Sequence, residues 1–206
     1  LIVSQYFFPE NFRINDFAFS MRRKGHEVTV LTGLPNYPKG RLFGHFRLFQ
    51  KHEVNGVDIY RVPLIPRFKS SGFQLAINYL SFLFSGLIFG PILLSKRKYD
   101  VIFTTNYSPA TVGIIGVILS KIKRAKMVLW VQDLWPESLK ATGAIESKAI
   151  LRIIATMVRW IYKHSHNILI QSKAFQSPII NLGIPNQKIH YASWQGVNFK
   201  GHCVSR

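Results

Sequence analysis

Residues 127–138 read MVLWVQDLWPES, a β-rich apolar run that stops at a turn carrying Asp133 and Glu137. The run MVLWV contains no alternating polar positions, which is typical of a strand buried on both faces. Strands of that kind belong to parallel sheets whose two faces are covered by helices. The turn therefore places two carboxylates at the end of a buried strand, in a chain that has 9 acidic residues in all.

The same kind of apolar run recurs along the chain, and helical patterns separate most of the runs. This alternation predicts an α/β fold, a doubly wound parallel sheet of Rossmann-like type. The predicted strands lie at 1–4, 28–32, 57–62, 101–105, 127–132, 167–171 and 189–192, and the predicted helices at 11–24, 73–95, 109–121, 146–164 and 173–182.

Composition limits the class of protein and its partners. Apolar residues make up 48% of the 206 residues, which excludes a disordered chain. Lys and Arg number 27 and the net charge is +18, so we expect an anionic partner: nucleic acid, a phosphate-rich ligand or an anionic membrane. The single cysteine, Cys203, excludes an internal disulfide framework and suits a reducing cytoplasm.

Basic residues cluster where predicted helices end, at 22–24, 96–98, 121–126 and 163–164. Cations are favoured at helix C-termini, which explains the clusters without any function. These ends lie at the edge of a parallel sheet opposite to the edge where ligands bind. We therefore expect the clusters to contact anionic lipid or to keep the domain soluble, and not to take part in catalysis.

The loop after the first strand is expected to reach the ligand edge. Asn11 is in place to cap the helix that follows, and Arg13 lies in the first turn of that helix. The helix dipole disfavours a cation there, so Arg13 indicates either an anion bound nearby or a solvated side chain.

The segment after the second strand, residues 32–56, is too long for a simple connection in a compact domain. It begins with the turn-rich string LPNYPKG, which contains Asn36, Tyr37 and Lys39. Basic and aromatic residues then interleave, as at a membrane interface, in a single-stranded nucleic-acid site or in an excursion packed on the domain. These residues are Arg41, Phe43, Phe46, Arg47 and Phe49.

No charged residue occurs between Ser70 and Ser95. The segment is long enough to span a bilayer, but Gln74, Asn78, Ser81 and Ser85 form one polar stripe along it. A buried or interfacial helix is favoured, because a true span would separate the two halves of the sheet. The basic helix 146–164 is amphipathic, which fits either a membrane surface or a core helix with a solvated face.

The turn TTNYSPATVG, residues 104–113, leads from a strand into a helix. Asn106, Ser108 and the helix N-terminus are in position to bind an anion or a sugar hydroxyl. An ordinary helix start with a proline in its first turn explains the same residues equally well.

Four strings in order carry a resemblance to a known family. They are SQYFFPENFRIND (4–16), GHEVTVLTGLPNYPKG (25–40), TTNYSPATVG (104–113) and WVQDLWPES (130–138). Over residues 1–194 the chain resembles the N-terminal domain of family 4 retaining glycosyltransferases, which have the GT-B architecture of two Rossmann-like domains. The resemblance is strongest to bacterial enzymes of O-antigen, capsule and colanic acid assembly, N-acetyl-L-fucosaminyltransferases in particular.

The resemblance implies transfer of a sugar from a UDP-sugar to a lipid-linked polyprenyl pyrophosphate acceptor. It places the protein in the cytoplasm, peripheral at the inner face of the bacterial cytoplasmic membrane, and it implies no metal and no other cofactor. Arg41, Phe43, Phe46, Arg47 and Phe49 would contact the membrane. Acceptor binding would fall to Asn11, Arg13, Asn36, Tyr37, Lys39, Asn106, Gln132 and Glu137.

Asp133 is the catalytic residue that the resemblance implies. It would orient the acceptor hydroxyl or stabilise positive charge near the reacting sugar, and general-base chemistry requires it to reach the acceptor proton. Many relatives have a histidine directly before this aspartate, and Gln132 stands there instead, which weakens the case for a base. A structural alternative makes Asp133 a helix N-cap, with Trp130 and Trp135 packed in the core.

The chain also departs from the family pattern. The nucleotide-binding C-terminal domain and its paired glutamates are missing, and residues 195–206 resemble neither a linker nor a second domain. We therefore expect a truncated or frameshifted chain, an inactive acceptor-binding half that binds UDP-sugar only together with a C-terminal domain. The alternative is a non-catalytic module for lipid pyrophosphate or membrane. Nucleic acid is not an expected partner, because the positive charge is the sole feature that suggests it and no nucleic-acid-binding motif accompanies the charge.

Overall fold

A computed structural model describes residues 1–38, 40, 42, 49–67 and 72–192 of the chain. Five residues with predicted roles, namely Lys39, Arg41, Phe43, Phe46 and Arg47, lie outside the described residues, as does the segment 195–206.

The described residues form one eight-stranded sheet with the order β3-β4-β2-β1-β5-β6-β7-β8. Neighbouring strands are parallel except for the hairpin of β3 and β4, which is antiparallel. The predicted α/β fold with a doubly wound parallel sheet is therefore confirmed. The strands are β1 Ile2–Val3, β2 Thr29–Gly33, β3 Gln50–Val54, β4 Val57–Val62, β5 Val101–Asn106, β6 Lys126–Val131, β7 Asn167–Ile170 and β8 Ile189–Tyr191.

Helices connect the strands and cover both faces of the sheet. They are α1 Arg13–Arg23, α2 Gly72–Leu93, α3 Val112–Lys123, α4 Glu137–Ala141, α5 Lys148–His164 and α6 Gln176–Asn181, with 3-10 turns at Lys173–Phe175 and Asn186–Lys188.

Alternate residues of the central strands point to opposite layers. Ile2 and Val30 belong to a core cluster with α1, whereas Val3 and Leu31 belong to a cluster with α2 and α3. A third cluster packs β6 and β7 against α5. Because every central strand has an apolar residue on each face, the sheet is buried on both sides, as the unbroken apolar runs predicted.

The basic clusters follow the predicted pattern with one exception. The last turns of α1, α3 and α5 carry Arg22 and Arg23, Lys121 and Lys123, and Lys163 and His164 respectively. Residues 96–98, in contrast, come after the end of α2 and do not belong to its last turn. The cation at that helix end is supplied by Lys123, whose Nζ donates to the carbonyl oxygens of Leu94, Ser95 and Arg97.

Candidate functional site

The order in which strands are added to the sheet switches sides between β1 and β5. From β1 it proceeds to β2 and β4 on one side, and from β5 to β6, β7 and β8 on the other. Ligands of open α/β sheets bind outside the C-terminal ends of the strands at such a switch point. Here the Thr105 hydroxyl donates to Ser4 Oγ at 3.0 Å, and Ser4 Oγ donates to the Tyr6 carbonyl at 2.8 Å.

A buried amide pair lies at this switch point, and we call the region outside the ends of β1, β5 and β6 the crevice. Gln5 Nε2 donates to Asn78 Oδ1 at 2.7 Å, and Asn78 Nδ2 donates to the Ile65 carbonyl at 2.7 Å. Gln5 is 2% exposed and Asn78 is fully buried. Within the part of the chain that the structure describes, Gln5 Oε1 has no hydrogen-bond partner although it is buried. The polar stripe predicted on this helix therefore faces the protein, and Asn78 fixes α2 to the loop after β1.

Glu10 organises the loops after β1 and β2. Its Oε1 accepts the backbone N–H groups of Asn36 at 2.8 Å and Tyr37 at 2.6 Å, and its Oε2 accepts that of Phe7 at 3.2 Å. Burial raises the pKa of the Glu10 carboxyl, while these three N–H groups and the charge of Arg61 act in the opposite direction. Arg61 in turn donates to the Phe8 carbonyl at 2.6 Å, so both charged groups hold the loops in place.

Asn11 does not cap α1, so that prediction is wrong. The N-cap is Phe12, whose side chain makes no capping bond, and Asn11 is exposed. Asn15, which lies within the helix, makes the contacts to the preceding loop. Its Oδ1 accepts the Phe8 N–H at 3.1 Å, and its Nδ2 donates to the Glu10 carbonyl at 2.7 Å. A buried amide one turn further on therefore joins the loop to the helix.

Asp133 lies half-buried just beyond the end of β6. Its Oδ2 accepts the Trp135 Nε1–H at 3.1 Å. The helix N-cap alternative for Asp133 is wrong, because α4 begins after Pro136, which makes no side-chain capping bond. The Trp135 indole thus holds the Asp133 carboxylate at the sheet edge, and the carboxylate does not cap a helix.

Backbone and side-chain hydrogen bonds tie together the ends of β5, β6 and β7. The Gln132 N–H donates to the Asn106 carbonyl at 3.0 Å, and Gln171 Nε2 donates to the Gln132 carbonyl at 2.8 Å. The Tyr107 hydroxyl lies near the Gln132 side chain; burial raises the pKa of Tyr107, and this neighbour acts in the opposite direction. Asn106, Gln132 and Asp133 therefore share one rigid edge, as the parallel sheet predicted.

The remaining predicted residues lie on the other side of the switch point. Asn36 is fully buried, and its Nδ2 donates to the Leu34 carbonyl at 3.0 Å. The Tyr37 ring is 37% exposed, and the Arg67 guanidinium stands 5.0 Å from its centroid. Arg13 is exposed at the first position of α1.

Aromatic rings connect the two sides of the site. Phe12 lies 5.2 Å from Tyr37 and 5.9 Å from Tyr107 between ring centroids. These three rings form a wall between the loop after β2 and the loop after β5. The structure thus brings the two groups of predicted polar residues to one edge, with aromatic side chains between them.

Two predicted residues stand apart from this centre. Glu137 is exposed in the first turn of α4, where the helix dipole favours a carboxylate. Phe49, predicted to contact membrane, is 42% exposed, and its ring lies 4.9 Å from that of Phe89 on α2. Among the described residues, no group of three or more His, Cys, Asp and Glu side chains is placed to hold a metal ion.

Glu10, Gln5, Asn78 and Tyr79 complete the site, and the sequence reasoning assigned them no functional role. Burial raises the pKa of the Tyr79 hydroxyl, and a hydrogen bond to Ser108 lowers it. One signal was available: an asparagine in a segment of 22 residues without charge has to find a polar partner. The rarity of acidic residues could likewise have directed attention to Glu10.

Comparison with known proteins agrees with this architecture. Residues 11–193 match the family described as Glycosyl transferase 4-like domain. No curated protein matches the chain.

Solved structures of other proteins are similar over 93% of the chain. They include Anabaena Alr3699/HepE in complex with UDP and glucose (15% identity, TM-score 0.50), and the same protein in complex with UDP-glucose (13%, 0.50). A third is CalG4, the calicheamicin glycosyltransferase (13% identity, TM-score 0.49). The chain spans 43%, 42% and 51% of their respective lengths. At 13–15% identity, the likeness to Alr3699/HepE shows a shared fold.

Proposed function

We propose, because the chain belongs to the glycosyl transferase 4-like family, that it forms the acceptor-binding part of a sugar transferase. In the proposed reaction the acceptor oxygen bonds to the anomeric carbon of a UDP-sugar, the bond from that carbon to phosphate breaks, and UDP leaves. The acceptor hydroxyl gives its proton to the phosphate oxygen of the departing UDP in the same reaction.

The position of Asp133 carries this proposal. A half-buried carboxylate at the end of β6, oriented by Trp135, is suited to accept a hydrogen bond from a sugar hydroxyl. Gln132 and Asn106 lie along the same edge, and within the described residues Gln132 Nε2 and Asn106 Oδ1 are buried without a hydrogen-bond partner. The crevice thus offers the mixture of carboxylate, amide and aromatic groups that a saccharide requires.

The proposed acceptor is a saccharide on polyprenyl pyrophosphate, of the kind used to assemble O-antigen and capsule in bacteria. Arg67, which stands over the Tyr37 ring, and Arg13, whose charge acts on Tyr107, would meet its phosphates. This acceptor would hold the protein at the cytoplasmic face of the membrane. N-acetyl-L-fucosamine is the sugar that the sequence resemblance suggests for the transfer.

A titration of the purified chain tests the proposal. We expect a short-chain polyprenyl pyrophosphate saccharide to change the tryptophan fluorescence saturably, since Trp135 lies at the site, and UDP alone to cause no change. Asp133→Asn should weaken acceptor binding about tenfold through loss of a charge-assisted hydrogen bond. Asp100→Asn, at the opposite edge of the sheet, is the matched control and should bind as wild type.

Two results would contradict the proposal. The first is equal acceptor affinity for wild type and Asp133→Asn, which would show that the Asp133 carboxylate does not bind the acceptor. The second is turnover of UDP-sugar by the purified chain, because a complete active site would then reside in these residues.

A non-catalytic module for lipid pyrophosphate is the second candidate, favoured by the exposed apolar side chains on α2. It predicts the same acceptor binding, but no gain of activity when a donor-binding domain from a related enzyme is supplied in trans. Recovery of transfer under those conditions would favour the transferase.

A further inference from the structure

The outer face of α2 is apolar along its whole length. Five large side chains are exposed on it, and they follow one another at intervals of seven, four, four and four residues, so they form one stripe. At 1.5 Å per residue the stripe is about 29 Å long. The exposed fractions are 76% for Phe73, 45% for Leu80, 59% for Phe84, 56% for Ile88 and 64% for Ile92.

The inner face of α2 carries the polar residues. Asn78 is fully buried and Ser85 is 8% exposed, while no charged residue occurs anywhere in the helix. A surface helix of a soluble domain normally shows the opposite arrangement, with its apolar stripe toward the core and charges toward water. Helix α2 instead exposes apolar side chains on the face where a soluble domain would carry charges.

Neighbouring elements extend the apolar surface. Ile65 is 51% exposed and is fixed beside α2, because its N–H donates to Ser81 Oγ at 2.9 Å. On the β3 side, Phe49 packs edge-on against Phe89 of α2. Contiguous apolar surface of this extent marks an interaction site. We call the stripe with Ile65 and Phe49 the α2 face.

Cations stand at the C-terminal end of the α2 face. Lys96 and Lys98 are exposed immediately after the helix. Arg97, between them, pairs with the Asp58 carboxylate at 2.7 Å. Exposed lysines beside an apolar stripe are complementary to an anionic lipid surface.

The length and the packing of α2 decide whether the helix lies on a bilayer or crosses it. By length and composition α2 could span a membrane. In the fold it packs against α3, β2 and β4 through buried Phe82, Gly86 and Gly90, so one side of the helix is occupied by protein. The free side is suited to lie in the plane of a membrane surface.

A second domain at the ligand edge would not cover this surface. The first turns of α2 lie near that edge, where Asn78 meets Gln5. The residues after its last turn lie at the opposite edge, where Arg97 donates to the Thr29 hydroxyl at the start of β2, at 3.1 Å. A domain placed over the C-terminal ends of the strands leaves Ile88 and Ile92 uncovered.

We propose that the α2 face docks on an anionic bilayer, with the helix axis parallel to the membrane plane. The inference rests on the proposed function and adds to it, since it names the surface that would bring the crevice to a lipid-linked acceptor. Asn78 lies on the inner side of the same helix and contacts Gln5 in the crevice. Docking would thus set the height of the crevice above the lipid headgroups.

Vesicle binding of the full chain tests the proposal. The probes are vesicles of phosphatidylcholine with and without phosphatidylglycerol. We expect binding to the anionic vesicles to fall at least about tenfold in the double variant Phe84→Ser/Ile88→Ser. The matched control is Ile153→Ser on α5, which is 69% exposed in wild type and should bind within about twofold of it, being outside the proposed contact.

A second measurement detects the contact between the α2 face and the bilayer directly, by fluorescence quenching. Ile88→Trp and Ile153→Trp each place a new tryptophan on an exposed helix face. Brominated acyl chains should quench the added fluorescence of Ile88→Trp and leave that of Ile153→Trp unchanged. Near-ultraviolet circular dichroism of every variant confirms that the fold is retained.

Three outcomes would overturn the proposal. They are equal vesicle binding by the double variant and wild type, equal losses for Ile153→Ser and the double variant, and a dimer in solution that the double variant dissociates. The last would assign the α2 face to a second copy of the chain. A water-soluble acceptor titrated without vesicles separates this test from that of the proposed function, because loss of one binding then leaves the other measurable.

Discussion

At the scale of single residues, Glu10 is the group on which the loops of the candidate site depend. Three backbone N–H groups donate to its carboxylate, and Arg61 lies nearby as its counter-charge. In Glu10→Gln one oxygen is replaced by an NH₂ group that faces N–H donors, and Arg61 loses its buried counter-charge. We expect the free energy of unfolding to fall by about 2–4 kcal/mol, as measured by urea denaturation.

Glu53→Gln is the matched control for this prediction. Glu53 is exposed on the edge strand β3, and its replacement should change the free energy of unfolding by less than about 0.5 kcal/mol. Equal small effects in both variants would mean that the carboxylate of Glu10 does not hold the loops.

His166 gives the stability a dependence on pH. Its Nδ1 accepts the Met127 N–H at 3.1 Å, so this nitrogen carries no proton in the folded chain. Burial lowers the pKa of His166, and the charges of Lys188 and Lys126 lower it further. Since the folded pKa lies below the unfolded one, the unfolded chain binds more protons between the two values. The contribution of His166 is therefore present above the ordinary histidine pKa and is lost as the pH falls through the folded value.

The variant His166→Asn keeps an acceptor near Met127 and cannot titrate. We expect the urea midpoint of wild type to fall more than that of the variant when the pH is lowered from about 7.5 to about 5. The difference between the two slopes isolates this histidine from the other titrating groups. Parallel slopes would show that another group controls the acid response.

At the scale of elements, the buried strands could be predicted well, because an unbroken apolar run has one stable environment in an α/β fold. Strand β3 was missed since its sequence QKHEV is polar, and an edge strand needs no apolar pattern. The signal for it lay in Asn55 and Gly56, which turn the chain between Val54 and Val57 with φ angles of 51° and 76°. An Asn-Gly pair is a strong local signal for a tight hairpin.

The contacts of the candidate site were less predictable than its position. Topology places the loops after β1, β5 and β6 at one edge, and this follows from strand order alone. The pairing of Gln5 with Asn78 joins residues 73 positions apart, and that of Glu10 with Asn36 joins residues 26 apart. Such hydrogen bonds depend on tertiary packing, so no local pattern in the sequence reports them.

Helix α3 packs on the sheet so closely that one position has to be glycine. A Cβ at Gly116 would overlap the buried Thr104 hydroxyl and approach Met127 Cε to 2.9 Å. We expect Gly116→Ala to lower the free energy of unfolding by about 1–3 kcal/mol, despite the better helix propensity of alanine. Thermal unfolding followed by circular dichroism measures the change.

Gly72→Ala serves as the comparison for that variant. Gly72 is the exposed first residue of α2, and a Cβ there meets nothing within 4 Å. This substitution should stabilise the chain by up to about 1 kcal/mol, because it restricts the unfolded chain without strain in the folded one. If Gly116→Ala stabilised the protein as Gly72→Ala does, the result would show that α3 can move away from β5 with little loss of stability.

At the scale of the whole molecule, two surfaces with different chemistry meet at α2. The crevice at the strand ends is polar and aromatic, whereas the α2 face is apolar with lysines at one end. Because Asn78 and Phe84 project from opposite sides of one rigid helix, the distance between crevice and α2 face is fixed by the fold. The proposed lipid-linked acceptor would meet both surfaces of the molecule at once.

The net charge of +18 makes the folded chain sensitive to ionic strength. Asp58 pairs with Arg97 and Lys51, but the chain has 27 Lys and Arg against 9 Asp and Glu, so repulsion between cations outweighs attraction. Salt screens this repulsion, and we expect the free energy of unfolding to rise by on the order of 1 kcal/mol between low and moderate NaCl concentrations. Urea denaturation at a series of NaCl concentrations measures it. A decrease with salt would mean instead that the Asp58 ion pairs dominate the electrostatic contribution to stability.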